Sequence, residues 1–379
     1  MSRNRLFVLV GLVLSIAACV APATQRAPID PELAAREAEK QRELALKDWI
    51  AGQERLRSIS YRLMTGAVDM CGERVRPALG LWAWSAAEFS EDYRPIVERL
   101  NYHSHDVFLA GVVDGSPAAA AGLKPGDRLV QIAGWNVPNG KGAVAEAIKR
   151  FKELATSGGP VPLSVTRKGQ RVDVEVQPEP SCDYDVELER SDTVNAFADG
   201  DTIVLTSGMM RFVRDDTELA TVVAHEIAHN AMGHVDAKRT NAMAGAGVGL
   251  IFDILAAVAG ANTQGGFSRL GAQAGGGAYS QEFEAEADYV GLYLMAKAGM
   301  DVTDVPNFWR RMAVAHPQAI KTNHSATHPP TPERFLGLEN AVKEIEGKRA
   351  SGLALLPEMK VEPKPRATES AGSRSAYRE

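Results

Sequence analysis

The spacing of apolar residues divides the chain into segments of different kinds. An unbroken apolar run, LFVLVGLVLSIAA at 6–18, follows Arg3 and Arg5 and is short for a membrane span. From Pro31 to about Met64, charged residues are interspersed with apolar ones such as Leu44, Ile50 and Leu56. That pattern predicts one helix or two, either a spacer or a helix packed on the body. Strand-like alternation marks 106–137 and returns at 160–177, where Lys168-Gly169 predicts a hairpin turn; a helix is expected at 142–156. Residues 194–210 predict a strand pair, and DDTELATVVAHEIAHNAMGHV (215–235) a helix that Asp215 and Glu218 open as a capping box. Small apolar residues at 243–262, broken by Asp253 and glycines, are expected as a helix lying over the domain rather than a membrane span, and 265–277 as a mobile loop. A second long helix at 280–299 should stop at Gly299. The Pro/Ser/charge-rich stretch 350–379 predicts a disordered tail.

The formal charge of -6 has no basic block behind it, so no nucleic-acid partner is expected. The apolar run ends in IAAC, which resembles the lipobox of bacterial lipoproteins. That resemblance implies a signal peptide at 1–18, cleavage before Cys19 and lipid on its thiol, which tethers the chain to a membrane. Val20 in place of aspartate points to the outer membrane, with the body in the periplasm. Residues 19–70 are then a tether and helical segment. Cys71 and Cys182 remain as an even pair in an oxidising compartment. A bridge between them closes a loop of about a hundred residues, worth about 4–5 kcal/mol in the chain-entropy view.

Between those cysteines, GSPAAAAGLKPGDRLVQIAG resembles the most recognisable stretch of PDZ domains, which implies such a domain over 71–182. Upstream, ALGLWAW (78–84) lies where that family holds a peptide's terminal carboxylate, so Leu79, Gly80 and Leu81 are the expected peptide-binding residues. The separation of some 22 residues before the next strand is unusually long for the family.

The helix at 215–235 carries His225, Glu226 and His229 in H-E-x-x-H spacing. Residues four apart lie about 40° apart around a helix, one turn up, so two imidazoles can hold one zinc while Glu226 reaches a water beside it. His234 follows five residues after His229, not six as in metzincins; if the helix continues it falls about 180° from His225. It is therefore expected to be a helix-end polar residue and not a ligand. A carboxylate from QEFEAEAD should complete the site, and helical geometry leaves two pairs open, Glu282 with Glu286 and Glu284 with Asp288.

ELATVVAHEIAHNAMGH, EAEADYVGLYLMAKAG and HPPTPERF, in that order, resemble the HtpX and CAAX-prenyl-protease family of zinc metallopeptidases over about 190–345. The resemblance implies Glu284 as third ligand of one Zn2+ per chain, Asp288 as the carboxylate orienting a ligand histidine, and His328 as a catalytic-site residue near the metal. It also implies that Arg334 ties its segment down by ion pairs. The expected fold is α+β, a PDZ-type barrel followed by a mainly helical gluzincin domain at 186–347 with a short edge-strand sheet. The expected function is a zinc endopeptidase of the bacterial envelope acting on misfolded or misassembled polypeptides, the substrate pairing along Ile203–Thr206. The rival from another class is a chaperone or assembly adaptor whose zinc is structural or latent.

Overall fold

A computed structural model describes residue 24 and residues 27–100, 105–155, 158–258, 261–277, 280–315 and 332–360. Cys19, the signal segment and His328 lie outside the described residues. In chain order the elements are α1 (Pro31–Gly66), β1 (Val75–Ala78), β2 (Leu81–Trp84), α2 (Arg94–Arg99), β3 (Phe108–Val112), α3 (Pro117–Ala120), β4 (Arg128–Ile132), β5 (Trp135–Asn136), α4 (Ala143–Ala155), β6 (Val161–Arg167), β7 (Gln170–Val176) and β8 (Glu179–Cys182). They continue with β9 (Asp185–Glu189), β10 (Ala196–Ala198), β11 (Thr202–Thr206), α5 (Ser207–Phe212), α6 (Asp216–Ala231), α7 (His234–Val258), α8 (Gly266–Gly277), α9 (Ser280–Lys297), α10 (Val305–Ala315) and α11 (Pro332–Ala350). The chain divides into two compact units, and the second, Asp48–Glu379, contains every strand among the described residues.

The N-terminal sheet runs β2-β3-β4-β6-β7, with β5 beside β4. Its alternating residues bury Leu109, Leu129, Ile132, Leu163 and Val165 in one core, the expected outcome of period-two patterning. Lys168 and Gly169 both have positive φ, 50° and 78°, the mirror-image turn that suits the twist of β6 and β7. At Gly111 a Cβ would stand 1.9 Å from the Trp82 ring, so only glycine lets β3 pass beneath it.

Several features join this sheet to the helical part. Cys71 and Cys182 are bonded, and β1 pairs antiparallel with β8, Val75 opposite Cys182. Arg76 donates to the Tyr184 carbonyl at 2.6 Å and to Asp185 at 2.7 Å. The long stretch after β2 has a structural use: Phe89 packs edge-on against Trp84 and Trp49, which stack at 5.7 Å, and Arg190 lies over Trp49 at 4.9 Å. From Asp48 onward α1 is no mere spacer, because Leu56, Ile59 and Leu63 are buried in the core shared with α6 and α9.

The second sheet is small, in the order β10-β11-β9, with β9 parallel and β10 antiparallel to β11. This corrects the expected substrate strand. Ile203–Thr206 belong to the central strand, whose backbone is already paired on both sides, and the outer edge next to α6 is β10.

A second correction concerns 243–277. The expected mobile loop is a helix, α8, and α7 does not lie over the domain: within it only His234, Gly249 and Asp253 are buried. The two helices pack on each other through glycine. A Cβ at Gly245 would lie 2.0 Å from the Gly271 carbonyl oxygen, and one at Gly275 would lie 2.0 Å from that of Asn241. Backbone-to-backbone packing of this closeness offsets the low helix propensity that makes the sequence read as a loop. Asp253 closes the hairpin by accepting from the Phe267 and Ser268 amides at the start of α8.

Candidate metal centre

The site begins with the α6 cap. Asp215 accepts from the Glu218 amide at 2.9 Å, and Glu218 reaches back to the Arg214 amide at 2.6 Å while Arg311 donates to it. The helix is then buried from Leu219 to Asn230, so His225, Glu226 and His229 are held inside the protein. Their neighbour α9 comes close because residue 291 is glycine: a Cβ there would already stand 3.3 Å from the Ala224 carbonyl carbon. That approach brings Glu284 and Asp288 to the histidines.

Three donor groups converge. His225 Nε2 and His229 Nε2 are 3.1 Å apart, Glu284 Oε2 is 3.3 Å from His225 Nε2, and Glu284 Oε1 is 3.4 Å from His229 Nε2. Ligands at about 2.0–2.1 Å around a tetrahedral ion stand about 3.3 Å from one another, so this nitrogen and oxygen set fits zinc. Among the described residues, His225, His229 and Glu284 form the one group of this kind, and all three are buried. Burial alone would push the His225 imidazole down, but Asp288 and Glu284 outweigh it and raise it to about 9. Two carboxylates facing one buried imidazole make this a site that favours positive charge.

Behind His225 stands a buried pair. His225 Nδ1 is 3.0 Å from Asp288 Oδ1, and Arg334 grips both Asp288 oxygens at 2.7 Å through Nε and Nη2. Burial would raise the Asp288 carboxyl, yet Arg334 and His225 hold it below the usual carboxylate range. Arg334 also approaches Glu284 at 3.8 Å and lies over the Trp309 ring at 5.2 Å. Of the two acid pairs left open by helical geometry, Glu284 with Asp288 faces α6, whereas Glu282 is exposed.

His234 departs from expectation. The helix does not continue: α6 ends at Ala231, Gly233 adopts φ 67°, and α7 starts at His234. The break returns His234 to His229, with 3.0 Å between their Nδ1 atoms, and His234 Nε2 lies 3.0 Å from Glu286. His234 is outside the three-donor group but is buried against it and not a bland helix-end residue. With Nε2 of His229 turned to the donor group, its Nδ1–H can donate to His234, whose own N–H donates to Glu286. A continuing helix hides His234 from the sequence, and Glu286 stands there only as a candidate ligand, not as a partner of His234. The signal was Gly233, the residue type that ends helices in the left-handed region.

In the first sheet, Leu79–Leu81 form the turn into β2. Gly80 has φ 72°, and a Cβ on it would meet the Ser116 side chain at 2.2 Å. Beside the turn, β2 is the edge of its sheet and faces α4 across a cavity of about 480 Å3.

Residues 164–342 match the model of peptidase family M48, and residues 108–153 match that of the PDZ domain. The chain thus combines a region that matches the PDZ domain with a mostly helical region that matches peptidase family M48, the α+β arrangement expected. The beta-barrel assembly-enhancing protease of Yersinia pestis is 31% identical over 171 residues, 42% of this chain and 34% of that protein. The mitochondrial metalloendopeptidase OMA1 of Schizosaccharomyces pombe is 30% identical over 193 residues, 50% of this chain and 56% of that protein. The chain therefore spans about a third of the first relative's length and just over half of the second's. A crystal structure of the HtrA3 PDZ domain bound to a phage-derived ligand aligns with 28% of this chain and 88% of its own, at 17% identity and a TM-score of 0.22.

Proposed function

We propose that the protein is a zinc-dependent endopeptidase of the bacterial envelope, tethered through lipid on Cys19 and facing the periplasm. Its substrates in this reading are misfolded or misassembled envelope polypeptides, with the PDZ domain assisting in their capture. The observation that carries the proposal is the buried group of His225, His229 and Glu284 with Glu226 directly beside it.

His225, His229 and Glu284 would hold the ion. When bound, zinc supplies Lewis acidity, polarising the scissile carbonyl and making water acidic enough to be deprotonated near neutral pH. Glu226 takes the proton of the attacking water as its oxygen bonds to the carbonyl carbon, and delivers a proton to the amine as the C–N bond breaks. Asp288 and His234 fix which nitrogen of each histidine faces the site. An extended substrate would add to the outer edge of β10. Glu226 is buried, which shields the proton transfer from bulk water.

The test uses a form beginning at Val20, its metal content measured, incubated with casein beside Glu226→Gln. Fragments from the parent only, with one zinc in both proteins, are expected. One zinc in both and cleavage in neither would transfer the assignment to a polypeptide-binding adaptor.

A further inference from the structure

The PDZ cavity has walls that no isolated PDZ domain supplies. One side is β2 and another is α4, with Val144, Ile148 and Phe151 as its apolar surface. Opposite them stand Arg57, Tyr61 and Met64 of α1, together with Tyr184, Asp185 and Val186 at the start of β9. Both β2 and β9 are edge strands of their sheets among the described residues. The cavity is therefore a slot between the edge strand β2 and the start of the edge strand β9, where Arg76 already covers the Tyr184 carbonyl, and its volume of about 480 Å3 lies within the range of built ligand sites.

The charge in the slot is informative. Arg76 is already paired, 2.7 Å from Asp185 and 3.2 Å from Asp183. Arg57 is not: its Nε donates to Gln53 at 3.3 Å and its guanidinium lies 6.0 Å from the Trp82 ring centre. Burial pushes Arg57 below its ordinary value, with Asp185 and Glu187 only partly restoring it. A half-buried guanidinium lining a cavity calls for an anion.

We propose that this slot holds the extended carboxyl-terminal segment of a polypeptide, and that Arg57 selects an acidic side chain near its end. The inference rests on the reading of the PDZ domain as peptide-binding and adds the partner's chemistry and the contribution of β9. The register follows from α1. Tyr61 lies beside Gly80 in the turn expected to receive the terminal carboxylate, since a Cβ on Gly80 would stand 3.0 Å from the Tyr61 ring. Arg57 is one turn away, about 6 Å along the helix, which equals roughly two residues of extended chain. The acidic residue should then stand third from the end. Since β9 pairs with β11 in the metallopeptidase sheet, a peptide in the slot touches that sheet directly.

The test is done on the full chain carrying Glu226→Gln, so that binding is read without cleavage. Fluorescein-labelled decapeptides of alanine and serine ending in valine, with one glutamate second, third or fourth from the end, are followed by anisotropy beside their glutamine analogues and carboxamide forms. The expected result is binding about tenfold tighter for glutamate at the third position, lost in the carboxamide. Arg57→Gln should erase that preference, so that the glutamate and glutamine peptides bind alike. Amide hydrogen exchange should slow at 81–84 and at 185–188 together on binding. Equal binding of glutamate and glutamine peptides, or a preference surviving Arg57→Gln, would overturn the assignment of Arg57 and leave PDZ peptide binding intact. Protection confined to 81–84 would overturn the part given to β9, and no binding by any peptide would overturn both readings.

Discussion

His225 and His229 stand one turn apart on α6, yet opposite kinds of structure hold them. Behind His225 lies a carboxylate clamped by a buried arginine, contributed by α9 and α11. Behind His229 lies a second imidazole, brought back by a break in the chain and tied to Glu286, whose side chain is 40% exposed. The first support is part of the core, so its failure should disturb both fold and metal site. The second is local and partly wet, so its failure should disturb the metal site with little effect on the fold. Similar demands on two donor imidazoles are thus met at different cost to stability.

The largest effect should come from Asp288→Ala. It strands the Arg334 guanidinium in the core, which costs about 3–5 kcal/mol, and removes the partner of His225. Thermal denaturation should show a marked fall, and chelator competition a zinc affinity lowered by about 10–100-fold. An unchanged melting temperature would mean that the pair is not integral to the core.

Replacing both charges separates the two roles. Asp288→Leu combined with Arg334→Met should recover most of the stability lost in Asp288→Ala, since apolar residues of similar volume often substitute for a buried ion pair at no net cost. Zinc affinity should stay low, because no acceptor faces His225. Recovery of both properties in the double variant would refute an orienting role for Asp288.

His234→Ala should reverse that pattern. Zinc affinity should fall by about tenfold while denaturant stability changes by about 1–2 kcal/mol. Glu286→Gln, which retains an acceptor in the same place, should weaken zinc less than His234→Ala, and its half-exposed position limits the stability change to within about 0.5 kcal/mol. Should Glu286→Gln weaken zinc more than His234→Ala, the imidazole would not be the element that positions His229.

The same contrast explains what could be read beforehand. The α6 cap, the H-E-x-x-H spacing, the hairpin at Lys168-Gly169 and the glycine stop of α9 are written in residues close together in the chain. They were legible because the interactions that enforce them are local. Gly233 is equally local, but a helix end inside an otherwise helical pattern is a weak signal, and a continuing helix places His234 on the opposite face. The hairpin of α7 and α8 was obscured for another reason: its glycines lower helix propensity alone and acquire their use only when two helices meet.

Sequence alone determined the donor chemistry, namely which residues can offer nitrogen and oxygen at helical spacing, and the periodicity that builds the PDZ sheet. Tertiary structure alone decided that His234 turns back to His229, that β10 and not β11 has the open edge, and that α1 and β9 wall the PDZ groove. Those outcomes depend on residues far apart in sequence, such as Arg334 with Asp288 at a separation of 46 and His234 with Glu286 at 52. Local propensity carries no information about such pairs, because they are selected by packing of the whole core.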